Sequence, residues 1–178
     1  HAEPRARAPG GSVVTVADSR REEILAWLDE VKDPEVPVLS IRELGVLRDV
    51  EVSGDDVVVV MTPTYSGCPA MHAMEVDVVA TLARHGVPNV RVKTVYAPAW
   101  TTDWISDEAK AKLAAYGIAP PARVEADELV PLRRRAPVAC PYCHSVNTIV
   151  RSEFGSTACK AILFCNGCHQ PFELFKAI

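Results

Sequence analysis

Val57-Val58-Val59-Val60-Met61-Thr62-Pro63-Thr64-Tyr65-Ser66-Gly67-Cys68-Pro69-Ala70 is the stretch from which the fold can be read. Its first five residues are β-branched or apolar on both faces, which predicts a central strand rather than an edge. A loop with little chain freedom follows, held by Pro63 and Pro69. Pro69 suits the first position of a helix and Gly67 permits a tight turn, so Cys68 is expected at the N-cap. The helix should run to about His85 and stop at Gly86, with Met71, Met74, Val78 and Leu82 as its core stripe.

Working outward, residues 46–52 form a second β-branched run, joined to the central strand by Ser53-Gly54-Asp55-Asp56, which reads as a hairpin. Residues 90–96 supply a third strand, expected parallel to the central one through a right-handed crossover. Upstream, Ser19-Arg20-Arg21-Glu22 has the form of a capping box, and Ile24, Trp27, Leu28 and Val31 follow at helical spacing over residues 20–31. Asp33-Pro34 then stops the helix. Downstream, Ser106 or Asp107 caps a last helix that ends at Tyr116 before Gly117. The order α-β-β-α-β-α implies an α+β domain: a small α/β sandwich with a mixed sheet, over residues 18–118.

The remaining segments differ in character. Residues 1–17 lack an initiator Met and an apolar h-region, and read as a disordered leader or a remnant of expression. Residues 119–139 carry Pro120, Pro121, Pro131 and Pro137, and read as a stiff linker. Residues 18–118 hold 10 basic and 17 acidic side chains, for −7 of the total net charge of −4, while each other segment is near +1. An acidic body argues against a phosphate backbone as the main partner. The only basic cluster, Arg133, Arg134 and Arg135, reads as a solvated connector. Residues 57–61 fall far short of the roughly 20 apolar residues that a membrane span needs, so a cytoplasmic protein without a membrane partner is expected.

Five of the six cysteines lie between Cys140 and Cys168, and four form the pairs Cys140-Pro-Tyr-Cys143 and Cys165-Asn-Gly-Cys168. Each pair makes a knuckle that points two thiolates at one ion, and two knuckles complete a four-sulfur shell. Residues 140–178 are therefore a zinc-ribbon tail. Four protein ligands leave no open position, so the zinc should be structural and should hold together a segment too short for much core. An iron–sulfur cluster on the same four cysteines is the alternative. Cys159 falls on the face of Cys165 by period-two alternation, as a buried strand thiol or as a further ligand or redox partner.

Cys68 carries the chemistry of the body. At a helix start its sulfur would face unpaired N–H groups and the positive end of the helix dipole, which lower a thiol pKa. His72, four residues on, shares that helical face and is a candidate to pair with the thiolate or share a metal. Asp33 and Glu35 stand between Pro34 and Pro37, as carboxylates on a pre-set backbone or merely as a loop that stops a helix. The residues alone leave nucleophile, redox thiol and metal ligand open for Cys68. A thiol enzyme using Cys68 and His72, and a ribbon-based adaptor, are the alternative functions.

The segments Asp33-Pro34-Glu35-Val36-Pro37, Thr62 to Ala70, and Pro98-Ala99-Trp100-Thr101-Thr102-Asp103-Trp104 resemble the PaaD-like accessory proteins of the phenylacetyl-CoA 1,2-epoxidase system. The tail, with Phe154-Gly155-Ser156-Thr157-Ala158-Cys159-Lys160-Ala161 and Pro171-Phe172, is similar too, so the resemblance covers about residues 19–178. The body by itself resembles the MIP18-type domain of iron–sulfur assembly factors. That resemblance implies a non-catalytic subunit or maturation factor in aerobic phenylacetate degradation rather than an oxygenase. Cys68 would transiently ligate iron or a cluster, assisted by Asp33, Glu35 or His72. The partners implied are epoxidase subunits or iron–sulfur assembly proteins, with a homodimer that pairs two copies of Cys68. Trp100 and Trp104 are either anchors for such a partner or core packing. No di-iron motif is present, since Glu75 follows His72 in the reverse order and without a second copy.

Overall fold

The computed structural model describes residues 16–122 and 137–177. Most of the expected leader, the centre of the expected linker and the Arg133 to Arg135 cluster lie outside the described residues. The elements are α1 (Val16–Leu28), β1 (Lys32–Asp33), β2 (Val36–Ser40), β3 (Leu47–Ser53), β4 (Asp56–Met61), α2 (Ala70–Arg84), β5 (Asn89–Thr94), a 3-10 turn (Thr102–Trp104), α3 (Asp107–Tyr116), β6 (Ile118–Ala119), β7 (Thr148–Ser152), β8 (Lys160–Cys165) and β9 (Pro171–Phe175).

The stretch from Val57 to Ala70 does organise the body. β4 lies between β3 and β5, antiparallel to the first and parallel to the second, with α2 making the crossover. Val57, Val59, Val60 and Met61 are buried, as a strand covered on both faces requires. On α2, Met74, Val78 and Leu82 are buried and Met71 packs at the margin of the core. α3 starts where Ser106 Oγ accepts the Ala109 amide at 3.1 Å and ends at Gly117, whose φ of +94° fits the left-handed cap that glycine favours.

Three expectations need correction. α1 begins at Val16, so Ser19 lies inside the helix rather than capping it, and the helix closes at Leu28 instead of residue 31. Asp33 to Pro37 is more than a stop: β1 and β2 pair across it as a hairpin, Lys32 with Ser40 and Asp33 with Val36. The loop reading failed because two strands of such length carry no alternating pattern to detect. Finally, β6 straddles the boundary expected between body and linker: it pairs in parallel with β9 and makes residues 118–119 an edge of the tail's sheet, in the order β6-β9-β8-β7.

That pairing seats the tail on the body. Cys159 and Phe175 belong to the body's core cluster, and the Phe175 ring lies 6.2 Å from that of Trp100. Trp100 is buried and donates its indole N–H to the Leu44 carbonyl at 3.0 Å, so it packs the interior. Trp104 is half-buried beneath the Arg48 guanidinium, 3.7 Å from its ring centre. The turn beneath both rings depends on Gly45, at φ +74°, where a Cβ would stand 3.0 Å from Trp104 Cβ. A left-handed conformation costs a non-glycine residue about 1–2 kcal/mol. Gly45→Ala is therefore expected to destabilise by about 2 kcal/mol, read from urea unfolding; an unchanged midpoint would show that this turn relaxes freely.

A candidate metal centre and a junction of thiols and carboxylates

The tail contains a tetrahedron of sulfurs. Cys140 and Cys168 Sγ are 3.7 Å apart, Cys143 and Cys165 Sγ 3.5 Å, and all four lie within 4.8 Å of one another. Two sulfurs bound to one zinc at about 2.3 Å each, at the tetrahedral angle, stand about 3.8 Å apart, so these residues fit the ion. The chain builds this from two equivalent knuckles. In each, the first cysteine's carbonyl accepts the amide of the residue after the second: His144 to Cys140, and His169 to Cys165, both 2.9 Å. In each, the first cysteine's own amide donates to a carbonyl two residues past the second, Ser145 and Gln170, both at 3.0 Å. His144 and His169 take φ of +61° and +59° to close these turns, a conformation in which histidine is enriched. The amides of Cys168 and Gly167 draw the Cys165 thiol down to about 6, while burial pushes Cys168 up to about 12. Around the site, Ala119, Ala161, Leu163 and Phe172 make a small separate core.

The second candidate lies where the tail meets the body. Asp33, 4% exposed, accepts the amides of Glu35 at 2.7 Å and Val36 at 3.2 Å on Oδ1, which fixes the turn of the β1–β2 hairpin. Burial nonetheless pushes its carboxyl above the ordinary value. Glu35 is also raised, by burial and by Asp33, against the pull of the Lys160 ammonium. Lys160 is itself 4% exposed, donates to the Glu35 carbonyl at 3.2 Å and pairs with Glu173 at 3.0 Å. Beside it, Cys159 Sγ stands 3.9 Å from Glu35 Oε2 and 3.0 Å from Thr157 Oγ1.

The charges of the same two carboxylates act on Cys68. Pro69 occupies the N-cap of α2, so Cys68 sits one residue earlier than expected, with its amide donating to the Tyr65 carbonyl at 3.1 Å. Its thiol pKa is raised, not lowered. Burial dominates, the Ala70 amide and Thr64 pull down, and the charges of Glu35 and Asp33 push up. The helix start supplies the expected amide, but it is outweighed by burial and by carboxylates that only the hairpin brings near. Tyr65 titrates higher as well, through burial and then the neighbouring Cys68, Glu35, Cys159 and Asp33. His72 stays exposed, and among the described residues no hydrogen bond or ion pair joins it to Cys68. Glu75 instead accepts the Thr94 hydroxyl at 2.9 Å and ties α2 to β5.

Residues 21–97 match the iron–sulfur cluster assembly protein family, and residues 125–176 match the PaaD zinc beta ribbon domain. Fold and site thus define an iron–sulfur assembly-type domain carrying a zinc ribbon with a four-cysteine metal-binding group. An Escherichia coli (strain K12) protein, provisionally named as a subunit of 1,2-phenylacetyl-CoA epoxidase, is 43% identical over 93% of this chain and 98% of its own. The chain belongs to the PaaD family. The Fe-S protein maturation auxiliary factor of Porphyromonas gingivalis (strain ATCC BAA-308 / W83) is 36% identical over 52% of this chain and 89% of its own. A crystal structure of the domain of unknown function DUF59 from Bacillus anthracis superposes with a TM-score of 0.52 at 30% identity, over 55% of this chain and 93% of that one. No helix among the described residues is long and apolar enough to cross a membrane.

Proposed function

We propose that this protein is an accessory maturation factor of a phenylacetyl-CoA 1,2-epoxidase system, taking up iron or an iron–sulfur cluster at Cys68 and passing it to a partner subunit in the cytoplasm. The observation that carries the reading is the placement of Cys68: half-buried at a helix start, with the Asp33 and Glu35 carboxylates acting on it. A thiol held protonated among carboxylates is a poor nucleophile at neutral pH, whereas a divalent cation relieves the same repulsion. The pairing with His72 that a thiol enzyme would use is absent among the described residues. The epoxidase name of the Escherichia coli relative and the maturation role in the name of the Porphyromonas gingivalis relative point the same way.

In this reading the ribbon cysteines Cys140, Cys143, Cys165 and Cys168 hold zinc, which supplies cross-linking rather than reactivity, because four sulfur ligands leave no open position. The chain's own groups do the handling. Asp33 orients the turn, Glu35 and Cys68 offer ligand atoms, and Thr64 hydrogen-bonds the thiol. A homodimer joining two Cys68 thiols is one source of additional ligands.

Cys68→Ala should leave folding and ribbon zinc intact and reduce the iron content and activity of epoxidase matured in the same cells by at least about tenfold, the scale on which loss of one group near a metal acts. Epoxidase recovered with full iron and full activity would refute the role of Cys68.

A further inference from the structure

The ribbon delivers more to the junction than packing. Cys159 is 4% exposed, belongs to the body's core cluster rather than the ribbon's own, and points at the Glu35 carboxylate. Its four ribbon companions face away, into a separate tetrahedron. Cys68, from the body, packs against the core cluster that holds Cys159, from the tail, and the charges of Glu35 and Asp33 act on both thiols. We propose that Cys159, Cys68 and Glu35 form one composite site for a single thiophilic divalent ion such as Fe²⁺, assembled only when the ribbon is seated on the body. This rests on the metal-handling role of Cys68 and adds a second thiolate from the same chain, which removes the need to borrow one from a second copy.

The ligand chemistry agrees with the geometry. A sulfur at about 2.3 Å and a carboxylate oxygen at about 2.1 Å on one ion, at the tetrahedral angle, lie about 3.6 Å apart; Cys159 Sγ and Glu35 Oε2 are at 3.9 Å. On binding, M²⁺ replaces one proton on each thiol, two protons leave to solvent, and no electron is transferred. Two thiolates, one carboxylate and M²⁺ sum to one negative charge, beside the buried Lys160 ammonium. Asp33 does not ligate; with Oδ1 engaged by two amides it holds the Glu35 turn in place. Three ligands leave a fourth position open, as delivery to another protein needs. Unlike the four ribbon sulfurs, which already stand at ligand spacing, these groups have to draw together onto the ion, which suits cargo that is released.

Titration of the full, zinc-loaded chain with Co²⁺ in the absence of oxygen tests this, because zinc outcompetes cobalt at the ribbon and confines the probe to the second site. The expected result is one Co²⁺ per monomeric chain with thiolate-to-cobalt charge-transfer absorption. Cys159→Ser and Cys68→Ser should each weaken binding at least about tenfold and remove one thiolate's share of that absorption. Glu35→Gln, in a half-exposed turn between two prolines, should weaken binding while the absorption per bound ion persists. Ribbon zinc content, measured alongside, reports that each variant is folded. If Cys68→Ser abolishes binding and a folded Cys159→Ser binds as before, the composite site is overturned while Cys68 keeps its role. If no variant alters Co²⁺ binding, both fail. Half an equivalent per chain in a dimer overturns the composite site in favour of paired copies.

Discussion

Cys165→Ser is expected to strip the tail of both its metal and its structure. Apparent binding free energies of structural zinc are about 10–16 kcal/mol near neutral pH, and they count as folding energy where little else holds the segment. The ribbon's own core consists of Ala119, Cys140, Ala161, Leu163, Cys165 and Phe172, two of which are themselves ligands. The four remaining side chains cannot replace an ion of that affinity. Cys165 is fully buried and receives the Gly167 amide at 3.3 Å, so serine there loses a soft ligand and loosens the second knuckle at once. Metal analysis should show the zinc gone, and limited proteolysis should digest the tail while leaving the body. A variant that retained its zinc and resisted the protease would contradict a metal-built ribbon.

Phe175→Ala should have the next largest effect. Phe175 is 1% exposed, lies near the end of the described chain, and inserts its ring beside Trp100 in the body. Truncating a buried phenylalanine costs about 3–5 kcal/mol, through lost burial and the cavity left behind. For a chain of this size that is a fall in Tm of roughly 10 °C. The effect should extend beyond stability, because the same ring keeps Cys159 against the hairpin. Melting followed by circular dichroism gives the first effect, and the rate at which a thiol reagent reaches Cys159 gives the second. Unchanged melting and continued protection of Cys159 would mean that the tail is seated by something other than this anchor.

How much of this was legible beforehand follows from the length of the signals. β4, α2 and α3 carry runs or periodic stripes long enough to read, and Gly86 and Gly117 mark where the helices stop. The four ribbon ligands were legible because their spacing is itself the signature. The β1–β2 hairpin and β6 were not, since strands of 2 to 5 residues are fixed by what they pair with and not by their composition. The same reason hid the junction of thiols and carboxylates. Alternation placed Cys159 on the face of Cys165, and the structure keeps Ala161, Leu163 and Cys165 buried on that face. Yet Cys159 stands just beyond the end of β8, where that face passes from the ribbon's core to the body's. Only the pairing of β6 with β9 reveals which body residues wait there. The Cys68 thiol shows the converse case, in which a favourable helix start is outweighed by burial and by carboxylates 33 and 35 residues earlier in the chain.

The strand order of the tail also bears on time. β9 follows every other described strand in the chain, yet it lies between β6 and β8 and joins the strand that leaves the body to the ribbon. A nascent chain can therefore complete its three-stranded body sheet and bury much of that core well before β6 has a neighbour. The junction at Glu35 closes only once β9 has left the ribosome. A chain cut short before that strand is thereby kept from holding Cys159 against Glu35, so that the order of the strands acts as a safeguard on when the junction forms.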